Sequence, residues 1–391
     1  MPEAAKPIYL DYAASTPVEP QVAGEMARWL TRDGNYANPS STHAEGRRAV
    51  ARIDEAARQL AGLLNTDAER LVWTSGATES DNLAIIGAAQ YREHRGRHLV
   101  TMRTEHKAVT DVFEVLAKRG FDVSWLDPDA DGVLPVSRLE AALRDDTQLV
   151  SIMHVNNETG VIQDIAAIGE ACRQRDVLFH VDAAQSVGKL PLDLAALPVD
   201  LMSMTAHKMY GPKGIGALYI AERPGVHVEP QLFGGGQQRR LRPGTQPTHQ
   251  IAGYGLAAEI AAGRLQADLE HLRDLRERLW AGIADVDGVL VNGSLEQGFP
   301  GILNVSVGGV EGESLLLDLE PLCVATGSAC NSKSSEPSYV LRALGRSDAL
   351  AQSAIRFSFG RPTTADEVEV AARKYREAVV RLRALAPGAA A

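Results

Sequence analysis

Five short stretches of this chain put polar or titratable groups directly behind an apolar run: S-G-A-T-E (75–79), T-E-H (104–106), N-N-E (156–158), D-A-A-Q (182–185) and T-A-H-K (205–208). In an open parallel sheet, ligands collect outside the carboxyl ends of the strands, so groups at this position are where chemistry is expected. Lys208 follows the apolar run D-L-M-S-M. A lysine at a strand end is as a rule a solvated surface group; one partly desolvated among other rim groups has a lowered pKa and can form a Schiff base with an aldehyde cofactor. Asp182 ends V-L-F-H-V-D. It reads either as a helix cap or turn former, or as the carboxylate that sits under a pyridinium nitrogen, one β-α-β step from the lysine, and makes pyridoxal phosphate an electron sink.

The phosphate of such a cofactor needs donors at a helix N-terminus. S-G-A-T leads directly into a helical pattern and offers backbone N–H groups, including that of Ala77, plus the Thr78 hydroxyl. His106 is open to two readings, a polar loop residue or an imidazole stacked on the cofactor ring within reach of a substrate proton. Nucleotide loops are not supported, because neither G-x-x-x-x-G-K-[ST] nor a strand-linked G-x-G-x-x-G occurs, and G-P-K-G-I-G reads as a turn. A metal site is disfavoured: histidines 106, 154, 180 and 207 lack ligand spacing, and the cysteines are far apart.

The three cysteines form no C-x-x-C pair, and an odd, sparse count fits a reducing compartment with free thiols. Cys172 shares a helical face with Ile165 and Ile168, and Cys323 lies in the strand-like L-C-V-A-T, so both are expected to be buried and structural. Cys330 differs. It stands in A-T-G-S-A-C-N-S-K-S-S-E-P-S, and from Gly327 to Ser338 there is no Val, Ile, Leu, Met or aromatic residue to pack it. A thiol there is exposed and reactive or else accidental; Lys333 and a helix start after Pro337 would modestly favour its thiolate.

The elements that must hold these groups follow from patterning. From about residue 70 to 220, β-rich runs alternate with helical ones, as in L-V-W-T-S, H-L-V-T-M, L-V-S-I-M-H-V, V-L-F-H-V-D, D-L-M-S-M and G-I-G-A-L-Y-I, with a helix near 164–175. Near-continuous apolar strands separated by helices indicate an α/β domain with a largely parallel sheet covered on both faces. A long helical pattern over roughly 247–284 then connects to a smaller α+β unit containing G-I-L-N-V-S-V, E-G-E-S-L-L-L-D-L, the Cys330 loop, I-R-F-S-F-G and a terminal amphipathic helix. The expected division is a large cofactor-binding domain at 16–262 and a small α+β domain formed by 1–15 and 263–391.

The chain has 391 residues, 45% of them hydrophobic, enough for about two domains, each with its own core. With 50 acidic against 40 basic side chains and no long Lys/Arg run, it lacks the electrostatic footprint of a nucleic-acid binder. No signal-peptide pattern and no apolar run of the ~18 to 20 residues that span a bilayer occurs, so a cytoplasmic protein is expected, with no membrane partner.

Over residues 7–386 the chain resembles the cysteine desulfurases of the housekeeping and nitrogen-fixation type, class V aminotransferases that use pyridoxal 5′-phosphate in the aminotransferase-like fold. The resemblance is carried by I-Y-L-D-Y-A-A, T-S-G-A-T-E-S-D-N-L-A, T-E-H-K-A-V, M-H-V-N-N-E-T-G, H-V-D-A-A-Q-S-V-G-K, H-K-M-Y-G-P-K-G-I-G-A-L-Y, R-P-G-T, G-S-A-C and E-P-S-Y-V-L-R-A-L-G. It implies that Lys208 carries the cofactor as a Schiff base, Asp182 partners its ring nitrogen, and Gln185 partners its ring hydroxyl. His106 would be the stacking group and acid/base. Thr78, Thr205 and His207 would hold the phosphate, joined by Thr245 from a second subunit of a homodimer, while Asn157 and Arg356 would face cofactor and substrate carboxylate.

The implied reaction converts L-cysteine to L-alanine and leaves a persulfide on Cys330, which passes to a sulfur acceptor such as an iron–sulfur scaffold. A selenocysteine lyase, a related aminotransferase, or a catalytically idle sulfur-transfer partner are the alternatives. Two positions depart from the family pattern. T-A-H-K stands where many relatives have S-G-H-K, so Ala206 would cost roughly 1 kcal/mol if that backbone needs positive φ; Pro243 follows Arg242 where Ser is common. The sequence also stops soon after its last helix, without the tail that longer relatives use to dock a scaffold, and weak docking is expected on that account.

Overall fold

The computed structural model describes residues 7–326 and 336–385. The chain runs through β1 (Ile8–Tyr9), α1 (Pro20–Arg28), α2 (Ala44–Leu64), β2 (Leu71–Thr74), α3 (Ala77–Tyr91), β3 (His98–Met102), α4 (Lys107–Lys118), β4 (Asp122–Leu126), α5 (Val136–Ala142) and β5 (Thr147–Ser151). It continues with α6 (Ile165–Gln174), β6 (Leu178–Asp182), β7 (Leu201–Thr205), β8 (Gly216–Ile220) and the 36-residue α7 (Thr248–Ile283). Last come β9 (Val289–Val291), β10 (Ile302–Val307), α8 (Gly312–Asp318), β11 (Leu322–Cys323), α9 (Tyr339–Ala343), α10 (Asp348–Gln352), β12 (Ile355–Ser358) and α11 (Ala365–Leu385).

Among the described residues, β2 to β8 form one seven-stranded sheet in the order β2-β8-β7-β6-β5-β3-β4. The pairings β3–β4, β3–β5, β5–β6 and β6–β7 are parallel, and β8 runs antiparallel to both of its neighbours. This is the largely parallel α/β sheet expected from the sequence. β3, β5, β6 and β7 are buried at every position, which is why their sequences read as continuous apolar runs rather than as alternation. Val109, Val112, Phe113 and Leu116 recur at helical spacing on α4 and enter one core with Leu99, Leu149 and Leu178 of the strands. The other face of the sheet packs α2, α6 and the first half of α7, where Ile251, Tyr254 and Ala258 meet Ile53, Ala56 and Leu60. Gly255 permits that close approach, since a Cβ there would lie 2.5 Å from Ala56 Cα.

α7 runs unbroken from this core into the next. Its second half, with Leu272, Leu275, Leu279 and Ile283, packs against β10, β12 and α11 in a cluster that also takes in Leu10 and Ala13. β12, β10 and β9 form an antiparallel three-stranded sheet, and β1 pairs in parallel with β11. We propose the division 16–262 against 1–15 plus 263–391, with the seam inside α7. Cys172 is buried as expected, and burial pushes its thiol far up. Cys323 is a correction: it is only partly buried, because side chains alternate along β11 and Leu322 takes the core face, leaving Cys323 paired with the exposed Tyr9.

Candidate active site

The strand ends converge on a cleft of about 540 Å³, and its wall includes Ala77, Thr78, His106, Asn157, Asp182, Gln185, Thr205, His207, Lys208 and Arg356. Of the residues expected there, Thr245 is not on the wall; it is exposed to solvent in this chain. Cys330 lies outside the described residues, as does Lys333.

Lys208 and Asp182 arrive on adjacent parallel strands. Asp182 pairs in register with Ser203, and a single 3₁₀ turn over Ala206–Lys208 carries the chain from β7 to the lysine. Asp182 is 5% exposed, and its Oδ1 accepts the Ala184 N–H at 2.8 Å, so the acid is held by its own loop and aimed into the cleft it lines. Ala206 does not take a positive φ, so the glycine common in relatives is not needed here and no strain results. Its methyl instead rests over Gly211, where an added Cβ would come within 2.8 Å of it.

The phosphate-binding expectation falls on the N-terminus of α3. No side chain caps this helix, and Ala77, Thr78 and Glu79 of its first turn line the cleft, leaving N–H groups for an anion. The turn before it leans on β8: a Cβ on Gly216 would sit 2.6 Å from Gly76 C. Glu79 fixes the same turn from the other side. Its Oε2 accepts the Ser75 N–H at 2.8 Å, and Arg242 reaches it from 163 residues away through Nε at 2.8 Å and Nη2 at 3.3 Å. Thr205 is buried and donates weakly to Ile215 O at 3.4 Å, while His207 Nδ1 lies 3.2 Å from Ser15 Oγ. Burial first, and then Lys208, hold the His207 imidazole down to about 4, so at neutral pH it is an uncharged hydrogen-bonding group.

His106 caps α4, its Nδ1 accepting the Ala108 N–H at 3.1 Å. That bond places the proton of the neutral ring on Nε2. Burial, and after it Lys208, lower its pKa, so the ring enters the cleft neutral and as an Nε2–H donor. Arg356, on β12, donates from Nη1 to Asn157 O and from Nη2 to Asp11 Oδ1, each at 2.7 Å. Its Nε is buried and has no protein partner among the described residues.

The donor set fits pyridoxal 5′-phosphate. It offers an amine for the aldehyde, a buried acid for the ring nitrogen, an uncapped helix end for the phosphate, and an unsatisfied guanidinium N–H for a substrate carboxylate. Sequence reasoning gave no role to Glu79, Asp11 or Ser15, although Glu79 stood in the quoted S-G-A-T-E and Asp11 in L-D-Y-A-A.

Known proteins resemble this chain over nearly all of its length. The chain is 56% identical over 382 residues to cysteine desulfurase IscS of Enterobacter sp. (strain 638), spanning 97% of this chain and 95% of that protein. Among solved structures, it superposes on a NifS-like protein with a TM-score of 0.89 at 36% identity, covering 96% of this chain and all of that one. It superposes on SspA in complex with cysteine with a TM-score of 0.81 at 37% identity, covering 91% and 100%. The profile of the class-V aminotransferases matches residues 8–370, and this chain belongs to that family.

Proposed function

We infer that the cleft holds pyridoxal 5′-phosphate and that the protein uses it to take sulfur from L-cysteine. The chain is a cysteine desulfurase. The observation that carries the cofactor assignment is the meeting of Lys208 and Asp182, from neighbouring strands, in one cleft with the uncapped start of α3. Bound there, the cofactor would supply an electron sink for the charge left when the substrate loses its α-proton. Ala77, Thr78, Thr205 and His207 would hold the phosphate, Gln185 the ring hydroxyl, and Asp182 the ring nitrogen.

The chain's own groups do the rest. Arg356 and Asn157 orient the substrate carboxylate, with Arg356 Nε free to donate to it. The Lys208 amine takes the α-proton, and His106 returns a proton from Nε2. The Cys330 thiolate attacks the sulfur of the substrate: a new S–S bond forms, the Cβ–S bond breaks, and its electron pair stays with carbon. Protonation of that carbon gives alanine, and Cys330 keeps the sulfur as a persulfide. On either side of 327–335 the chain is tied near the cleft wall. Ala325 exchanges backbone hydrogen bonds with Arg356, and Ser338 donates to Glu158, next to Asn157.

The working unit is proposed to be a cytoplasmic homodimer that passes its sulfur to an acceptor such as an iron–sulfur scaffold. No helix among the described residues is long and apolar enough to cross a membrane. Leu232 and Phe233 are 50% and 85% exposed in the single chain, an apolar surface for a second copy to cover, and Thr245 follows on the same segment. The deciding experiment incubates the purified protein with L-cysteine and a thiol reductant, which reduces the persulfide to release its outer sulfur as sulfide, and follows bound-cofactor absorbance, sulfide and alanine. Equal yields of sulfide and alanine are expected, and conversion of cysteine to its keto acid without sulfide would replace this reading with transamination.

A further inference from the structure

Behind Gln185, on the side away from the cleft, stands a second lysine that the reaction does not use. Lys189 Nζ donates to Gln185 Oε1 at 2.9 Å, and Gln185 Nε2 donates to the backbone carbonyl of Ala13 at 2.8 Å. The amide is therefore fixed from both ends. Its oxygen is occupied by a lysine and one of its N–H groups by Ala13, so the second N–H is the polar group left for the cleft that Gln185 lines. Gln185 is 3% exposed, and a flipped amide would set its NH₂ against the lysine and its oxygen against the Ala13 carbonyl.

Lys189 has no carboxylate partner in any ion pair among the described residues. It lines a small enclosed cavity with Tyr12, Tyr210, Asp268, His271 and Arg361, and the one carboxylate there, Asp268, is bound to Arg361 at 2.5 Å. Nζ lies 5.7 Å from the centroid of the Phe299 ring. From the cleft side Lys208 and Arg356 add two more cations, and burial together with these brings its amine down to about 7. Lys189 is only partly buried as a residue, but its amine is desolvated with no carboxylate beside it, and a cation so placed is costly.

We propose that Lys189 is a positioning residue: it locks the Gln185 amide with an N–H toward the cofactor's ring oxygen and strengthens that donor by polarising the amide through its oxygen. A hydrogen bond received at an amide oxygen makes the N–H of the same amide a better donor. A stronger donor at that oxygen would favour its ionised form and so lower the pH at which the absorbance of the bound cofactor titrates. This rests on the cofactor assignment made above.

The test is a spectral pH titration of cofactor-loaded protein, comparing wild type with Lys189→Met, Lys189→Arg and the same Met substitution in a Gln185→Leu background. In Lys189→Met the midpoint of the bound-cofactor band should move upward by roughly half a pH unit or more. Lys189→Arg, which can still donate to Gln185, should restore most of it. In the Gln185→Leu background the Met substitution should move the midpoint much less, because the relay is already cut. An unchanged midpoint in Lys189→Met, or an equal shift with and without Gln185, overturns the proposal. If Lys189→Met does not fold, Lys189→Leu, which likewise removes both the charge and the donor, is read by the same criteria. Wild-type protein that binds no pyridoxal 5′-phosphate overturns the cofactor assignment itself, and this proposal with it.

Discussion

Arg356 donates through Nη1 to the backbone carbonyl of Asn157 at 2.7 Å, tying strand β12 of the small sheet to the loop that follows β5 of the large one. One N–H of Nη1 and one of Nη2 are so committed, and the buried Nε, without a protein partner among the described residues, is the guanidinium nitrogen left wholly open to an incoming carboxylate. Arg356→Lys keeps a charge but loses the planar fork that serves three directions at once. Hydrogen bonds to charged groups are worth about 1.5–3 kcal/mol, so KM for L-cysteine should rise roughly tenfold to a hundredfold with a smaller change in kcat. Steady-state kinetics decide it: a normal KM with a lowered melting temperature would leave Arg356 as a tether between sheets and nothing more.

Lys208→Ala should abolish both turnover and covalent retention of the cofactor. Among the described residues, Lys213 is the one other lysine on the cleft wall. Borohydride reduction followed by mass spectrometry of the peptides is the measurement. Cofactor fixed to Lys208 in wild type and to nothing in the variant is expected, and fixation at Lys213 in wild type would move the assignment.

Cys330→Ser should keep the cofactor spectrum, and its response to added cysteine, while releasing neither sulfide nor alanine. A serine hydroxyl is not ionised near pH 7 and cannot take sulfur as a thiolate does. Normal sulfide release by this variant would end the persulfide mechanism.

The site was legible where chemistry follows an apolar run. The ends of β2, β5, β6 and β7 announce themselves because a fully buried strand is a block of Val, Ile, Leu and Met, and whatever polar group comes next must sit at the sheet's rim. β4 gave no such signal. It is an edge strand with an exposed first residue and three half-buried ones, so D-V-S-W-L lacks the continuous apolar run. A contact across a long separation was equally silent: nothing local in R-L-R-P-G says that Arg242 pairs with Glu79. Cys323 misled for a related reason, since a strand-like pattern does not reveal that Leu322, not Cys323, takes the core face.

Thr245 is exposed in the single chain, although its segment is pinned by Gln238, which bonds both the N–H and the carbonyl of Trp73. If it completes the phosphate site of a second copy, Lys208→Ala and Thr245→Ala subunits should complement. A mixed dimer would contain one site lacking both groups and one with both intact. Confirmed heterodimers should recover up to about half of wild-type activity per dimer, as expected for one intact site of two. No recovery above the parent Thr245→Ala protein would mean that Thr245 acts within its own chain.

Glu158 links the cleft loop to the start of α9, and it should make stability depend on pH. The Ser338 hydroxyl donates to its Oε2 at 2.5 Å, and the same Ser338 oxygen caps α9 by accepting the Leu341 N–H at 3.2 Å. Burial raises the Glu158 carboxyl from 4.5 to about 7, with the Ser338 bond and Arg356 pulling the other way. An acid whose folded pKa lies above its unfolded one keeps its proton in the folded state through that window while the unfolded chain has already lost it. Its contribution is therefore full below pH 4.5 and is lost as pH rises toward 7, by at most about 3 kcal/mol. Glu158→Gln holds the same shape and never ionises, so the variant should gain on wild type steadily between pH 5 and 7. Urea unfolding of the cofactor-loaded proteins at half-unit intervals measures this. A stability difference that stays flat across the window would show that Glu158 is already ionised at pH 5, with Arg356 compensating its charge, and the α9 cap would then rest on a carboxylate throughout.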